Sequence, residues 1–542
     1  MRRSIATVSL SGPLNEKLVA SAAAGFDGVE IFDQDLITSL WTPARIRERC
    51  AELGLTIEML QPFRDLEGMT PSQHARAMRR FVGKLDIMAE LGTDLVLVCA
   101  SCQPDAIDDD DLSARQLRAA ADLAAERGMR IAFEALAWST HVWDYRRAWR
   151  IVELADHPAL GTCQDTFHVL SRRLDPSGIR QIPGEKIFFV QLSDAPAMAM
   201  DILQWSRHYR VWPGQGSWDV VGFLEHCIAA GYSGPLSLEI FNTVFRRADA
   251  ARNAADAMRS LLWVEDAVAQ RGQIPGARLD SAPPEPRVEG FDFVEIAVLD
   301  QHPLTSAALA ALGFVHTGDH REKPIELWEQ GRARILLNSS AVARAGQTGP
   351  HVAALALHTD DPHEATERGH YLRAGDVARH RGPQATEGIE APDGTAIFFT
   401  GLSGPEHWTQ TYTPVGGRRP GQPDETAGPG VAARIDGVTL AQPFDRFDEA
   451  ALFLGSVLGL RTHEDLEVPA TYGLFRARSV TNDDRSVRIT TTVALLDDAG
   501  VTQESGAGQL RRDVRPVSVV EDESRKNCVT IAVDDIFAAA QA

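Results

Sequence analysis

Nowhere in the 542 residues do about 18 apolar residues run together, so no segment reads as a membrane-spanning helix. The opening MRRSIATVSLSG has two arginines but lacks the apolar run of about 7–15 residues that a secretory leader needs, so none is expected. Cysteine is scarce, and six in so long a chain make no disulfide framework. Positive charge is short too. Lys and Arg number 54 against 75 acidic residues, a net −21, which argues against nucleic acid or an anionic membrane as partner. A Walker-type phosphate loop, an HExxH pair and a GxSxG elbow are all missing, which removes the common nucleotide, zincin and hydrolase readings. The 44% hydrophobic content excludes a mainly disordered chain. The expectation is a cytoplasmic enzyme of two to four domains.

Two stretches dense in turn formers, GQIPGARLDSAPPEPRVEG at 272–290 and TPVGGRRPGQPDETAGPG at 413–430, have no apolar periodicity. They suggest a domain over 1–270, a linker at 271–289, a module over 290–412, a linker at 413–430 and a module over 431–542. In the first block, short apolar strands beginning near Ile5, Gly28, Thr56, Asp94, Arg130, Gly161, Ile187 and Pro235 alternate with amphipathic helices. Several helices stop at a glycine, as at Gly25, Gly54, Gly92, Gly128 and Gly231. Eight strand–helix units in roughly 265 residues match the size of a (β/α)8 TIM barrel better than an open doubly wound sheet. The last two blocks each begin with a strand and a helix and continue in strands. They read as two α+β modules related by a weak repeat of about 110 residues.

Barrel enzymes work at the C-terminal ends of their strands. The fifth to eighth strands end at Glu134, Asp165, Gln191 and Glu239, which places three carboxylates and a carboxamide on one rim. Such an oxygen-rich set suits Mg²⁺, Mn²⁺ or a similar divalent ion. His168, three residues beyond Asp165, is placed as a general base. Arg64 after the third strand and Arg210 after the seventh can each grip a carboxylate. Glu30 on the second strand is a weaker candidate for the mouth. The Cys99-Ala-Ser-Cys102 pair reads as buried thiols rather than a zinc site, because no second cysteine pair accompanies it.

The stretches GFDGVEIF, QPFRDLEG, FEALAW, CQDTFH, VQLSDAP, YRVWPGQG and LSLEIFN resemble bacterial 3-dehydroshikimate dehydratases of the xylose-isomerase-like barrel superfamily, over nearly all of residues 1–265. The resemblance implies metal ligation by Glu134, Asp165, Gln191 and Glu239, catalysis by His168, and substrate contacts that include Arg64, Ser206 and Arg210. Some members carry histidine where this chain has Gln191, so the preferred ion can differ among Mg²⁺, Mn²⁺ and Co²⁺. The implied reaction is dehydration of 3-dehydroshikimate to protocatechuate. It needs no nucleotide, flavin or other redox cofactor.

Residues 289–542 resemble the 4-hydroxyphenylpyruvate dioxygenase half that the fused form of this family carries, an arrangement of vicinal-oxygen-chelate modules. The iron ligands of those dioxygenases are two histidines and a glutamate in the second module. RIDGVTLA has Gly437 at the first of these positions and KNCVTIAVDD has Cys528 at the second. The segment that would bring the glutamate lies past Ala542. This half is therefore expected to bind no catalytic iron and to be incomplete, and His351 and His358 are expected to be structural. Self-association or stabilisation of the barrel is the expected use of the C-terminal half. The alternative for the barrel is a divalent-metal sugar isomerase or epimerase, which has less need of an arginine for a carboxylate.

Overall fold

The computed structural model describes residues 1–272, 278–299, 302–340, 349–377, 388–401, 408–417, 420–421, 434–470, 473–497 and 527–533. It divides into two compact units, Met1–Ala282 and Pro283–Ala542.

In the first unit eight parallel strands close a barrel in sequence order. They are β1 (Arg3–Ala6), β2 (Gly28–Phe32), β3 (Thr56–Arg64), β4 (Leu95–Cys99), β5 (Arg130–Glu134), β6 (Leu160–Asp165), β7 (Ile187–Leu192) and β8 (Leu236–Leu238). Closure comes from β1 pairing with β8, Ser4 opposite Ser237. Helices are delimited by local chemistry. The helix Pro71–Leu91 opens on a reciprocal cap between Thr70 and Gln73 and stops at Gly92, whose φ of 75° is left-handed and open to glycine without strain. Side chains alternate along each strand, so one set packs on the helices and the other fills the barrel. Leu95, Leu97, Ala132, Cys163 and Phe189 make up part of one buried cluster. One period further along, the same alternation reaches Cys99, Glu134, Asp165 and Gln191 at the strand ends.

Among the described residues, the second unit holds a nine-stranded and a five-stranded mixed sheet. In the first, Val288–Ala297 pairs parallel with Ala333–Asn338 and antiparallel with His351–Thr359. In the second, Arg434–Ala441 pairs parallel with Arg488–Asp497 and antiparallel with Cys528–Ala532. Each leading strand is followed by a helix, Pro303–Ala311 in one case and Phe447–Leu458 in the other. Both sheets thus carry the same core pattern. Arg368, fully buried on the helix Pro362–Tyr371, donates to the Ser456 carbonyl at 3.0 and 2.8 Å and ties the two modules together. The linkers expected at 271–289 and 413–430 lie partly outside the described residues, and strands Val288–Ala297 and Tyr412–Pro414 run into their described parts. Among the described residues, no helix is long and apolar enough to cross a membrane.

Candidate active site

Strand register gathers the site. Cys99 lies opposite Glu134, and Asp165 lies opposite Gln191, which in turn lies opposite Ser237. Glu239 follows one residue after β8 and keeps the strand's course through its amide bond to the Leu192 carbonyl at 3.2 Å. The long loop after β7 is pinned by Asp194, whose carboxylate accepts from the amides of Ala195, Gly214, Gly216 and Trp218. A side chain at Gly216 would collide with that carboxylate, so the close approach requires glycine. Asp194 and Val211 also exchange backbone hydrogen bonds of 2.9 and 2.8 Å, which sets the neighbouring Arg210 over the barrel mouth.

Glu134, Asp165 and Glu239 are all buried. Burial, then the charges of Asp165 and Glu239, holds the Glu134 carboxyl well above its ordinary range. Burial likewise pushes Asp165 up to about 6, against the opposing pull of Arg210. The Arg210 guanidinium relieves part of this crowding. Its Nη1 donates to Asp165 at 2.8 Å and to Glu239 at 2.9 Å, while Nε and Nη2 donate to Ser206 Oγ at 3.3 and 3.0 Å. Glu134 is not included in that network. Its Oε2 accepts from Cys99 Sγ at 3.3 Å, and its Oε1 is buried with no hydrogen-bond partner. An orphaned carboxylate oxygen beside two more buried carboxylates is the donor set a divalent cation satisfies, so the residues present fit one.

Gln191 lies opposite Asp165 in the sheet and is held by an arrangement the sequence only hinted at. Glu30 is fully buried beneath it and accepts from Gln191 Nε2 at 2.6 Å, from Gln61 Nε2 at 2.9 Å and from Ser237 Oγ. Binding the amide nitrogen to Glu30 turns Gln191 Oε1 the other way, toward a thiol contact with Cys163 at 3.5 Å, and leaves oxygen as the atom able to meet a cation. Burial, then the charge of Glu239, raises the Glu30 carboxyl well above its usual range. Glu30 is thus a positioning residue beneath the mouth.

His168 lies in the short helix Thr166–Leu170 that Asp165 caps through the Phe167 amide. The Ala137 amide donates to Nδ1 at 2.9 Å, and Trp138 packs against the ring edge at 5.0 Å. Nε2 then faces Glu134 and Asp165, 3.9 Å from an oxygen of each. These three side chains can converge on one ion, yet an Nδ1 that accepts a hydrogen bond puts the proton of the neutral ring on Nε2. In this tautomer Nε2 is a hydrogen-bond donor, and it gains a lone pair for a proton or an ion only when the Ala137 contact to Nδ1 is released. Burial, then the charges of Arg210, Arg64 and Arg207, pushes the His168 pKa well below the usual imidazole value and keeps the ring neutral.

Of the expected substrate contacts, Arg64 stands at the end of β3 beside Cys99. Arg210 and Ser206 are differently placed. Both are buried, and they bind each other and the acidic cluster. The residue the sequence reading missed is Arg207, whose guanidinium lies over Phe241 at 4.7 Å and Trp138 at 5.6 Å. Cys99 and Cys102 are free thiols. In the second unit, the Gly437 position is closed by Arg488, whose Nε would lie 3.1 Å from an added Cβ, and Cys528 is exposed. A guanidinium over a glycine offers no iron ligand. His351 Nδ1 contacts the Gly349 carbonyl at 3.1 Å, and His358 Nδ1 contacts Thr400 Oγ1 at 3.1 Å.

Comparison with known proteins assigns the two halves separately. Residues 18–261 match the family described as a xylose isomerase-like TIM barrel, and residues 285–397 match the N-terminal family of hydroxyphenylpyruvate dioxygenase. The chain is 42% identical over 503 residues to a 3-dehydroshikimate dehydratase of Pseudomonas putida, spanning 90% of this chain and 78% of the relative. A protein of the same name from Pseudomonas aeruginosa is also 42% identical, with the same shares covered. A solved xylose isomerase-like TIM barrel/4-hydroxyphenylpyruvate dioxygenase fusion protein superposes with a TM-score of 0.81 at 40% identity, covering 91% of this chain and 79% of that one.

Proposed function

The chain belongs to the 3-dehydroshikimate dehydratase family, and we propose that its barrel carries out the dehydration of 3-dehydroshikimate to protocatechuate with the residues gathered around Asp165. The observation that carries this reading is the buried acidic cluster at the strand ends, with the orphaned Glu134 oxygen beside Nε2 of His168. Glu134, Asp165, Gln191 and Glu239 would hold a divalent cation, with Mg²⁺, Mn²⁺ and Co²⁺ as the candidates. When bound, such an ion supplies Lewis-acid polarisation of the substrate ketone.

The chain's own residues supply the rest. His168 exchanges protons through Nε2, the nitrogen turned toward the mouth. It removes the proton α to the ketone and returns one to the departing β-hydroxyl, the economy of a syn elimination. The first step needs the neutral ring with its proton on Nδ1, so the Ala137 contact must loosen as substrate arrives. Arg210 holds Asp165 and Glu239 in place through its hydrogen bonds. Phe167 and Phe241, both buried, pack against the Arg210 guanidinium and hold it beside the carboxylates.

For residues 289–542 we propose an assembly or stabilising role, including self-association, and no dioxygenase activity, the latter supported by the guanidinium over Gly437. A cytoplasmic setting agrees with the free cysteines. The experiment is direct. Chelator-treated protein is mixed with 3-dehydroshikimate and each ion in turn, and protocatechuate absorbance is followed. Ion-dependent aromatisation is expected. No product with any ion would overturn the reading in favour of sugar isomerisation.

A further inference from the structure

Two arginines at the barrel mouth are left over once the acidic cluster is accounted for. Arg64 ends β3 and Arg207 sits on the helix Ile202–His208 after β7, so they approach from opposite walls of an eight-stranded barrel. Among the described residues, neither guanidinium has a hydrogen-bond or ion-pair partner, and both side chains are partly buried. Arg207 is held by stacking alone, between Phe241 at 4.7 Å and Trp138 at 5.6 Å, and Trp138 in turn packs on His168. The two positive groups feel each other: after burial, the charge of Arg64 is the next cause lowering the Arg207 pKa. Glu134 and Glu239 attract Arg64, and Glu239 attracts Arg207, but only from a distance, so among the described residues each guanidinium keeps its donors open to an anion that enters the mouth. Arg210 cannot do this work, because its Nη1 and Nε are already committed to Asp165, Glu239 and Ser206.

We infer that Arg64 and Arg207 form the clamp for the ring carboxylate of the substrate, with the Trp138 indole beside the ring and Arg210 and Ser206 left to organise the acidic cluster. The clamp selects monocarboxylated six-membered rings over uncharged polyols of equal size. This inference rests on the dehydratase reading and names how that substrate is held.

The test separates the carboxylate from everything else the site does. Calorimetry on the full-length protein with Mg²⁺ compares protocatechuate with catechol, which share the vicinal hydroxyls and differ only in the carboxylate. The native protein is expected to prefer protocatechuate by at least about 30-fold, the scale of a desolvated charge-assisted contact. In Arg207→Gln the preference should shrink to about threefold or less while catechol affinity stays within about twofold, and Arg207→Lys should fall between. Should Arg207→Gln fail to fold, Arg207→Lys and Arg64→Gln carry the same comparison. A native preference retained in the Arg207 variants overturns the assignment, as does a native protein that binds the two ligands equally. Because these are binding measurements, they stand apart from turnover. A protein that discriminates by carboxylate yet makes no protocatechuate would sink the dehydratase reading and leave the clamp.

Discussion

Replacing Arg210 with methionine should expose how much of the barrel's stability depends on one guanidinium. The Arg210 side chain is 1% exposed, and those of its partners Asp165 and Glu239 are 0% and 5% exposed. Removing one member of a buried ion pair costs about 3–5 kcal/mol, because the remaining charges stay desolvated. At roughly 2–4 °C per kcal/mol for a unit of this size, the barrel's melting should fall by about 6–20 °C in chelator. The methionine fills much of the volume above Phe167, so lost packing adds little. A divalent ion on the same carboxylates stabilises each protein by about 2.7 kcal/mol at 100 times its own Kd, so the gap should narrow to the extent that the variant, with no guanidinium competing for Asp165 and Glu239, binds the ion more tightly. Scanning calorimetry of both proteins, with EDTA and with Mg²⁺, checks this. The reasoning fails if Arg210→Met melts within about 2 °C of the native protein in EDTA, or if the ion leaves the gap unchanged.

If His168 acts in proton transfer, as proposed, substituting His168→Gln should lower kcat by about 10²–10⁴ and leave the affinity for Mn²⁺ unchanged by calorimetry, whereas a weakened Mn²⁺ affinity would mark it as a ligand. Glu67 is buried, one oxygen accepting from the Ser101 amide and the other unpartnered, and burial pushes its carboxyl up to about 7. A carboxyl whose folded pKa is raised holds its proton longer in the native state, so on the order of 3 kcal/mol is lost as pH climbs from about 4.5 to 7. Glu67→Gln should therefore melt higher than the native protein at pH 8 and coincide with it near pH 4.5, and equal melting at pH 8 would refute the sign. In the second unit, Arg368→Met should unfold residues 283–542 more readily, by roughly 3 kcal/mol, seen as faster proteolysis there with dehydratase turnover retained. Supplying Fe²⁺ and 4-hydroxyphenylpyruvate should give no oxygen uptake, and Gly437→His alone should not change that, because Arg488 fills the space above.

The barrel and its oxygen-rich rim were legible because period-two alternation and strand order leave little freedom. Once eight apolar strands are counted, the last inward residues of the fifth to eighth are Glu134, Asp165, Gln191 and Glu239 whatever the loops do. The arginines were harder, because their partners come from other loops. WSRHYR puts Ser206, Arg207 and Arg210 within five residues, and the chain alone does not say which cation turns toward the strand-end acids. Here Arg210 is joined to Asp165 and Glu239, and Arg207 lies on Phe241 instead. Glu30 posed the opposite problem. It read only as a weaker candidate for the mouth, because its service to Gln191 depends on a contact across 161 residues of sequence.

The seating of Gln191 on Glu30 has an evolutionary side. Glu30 asks only for an N–H at that point and is indifferent to what the rest of the side chain presents. An imidazole can offer Nδ1–H below and a bare Nε2 above, just as the amide offers nitrogen below and oxygen above. On the ligation proposed above, exchanging Gln191 for histidine would turn a hard oxygen donor into a borderline nitrogen one while Gln61 and Ser237 still donate to Glu30. The barrel in this way carries an interchangeable socket, through which a lineage could follow the metal supply of its habitat in one mutational step.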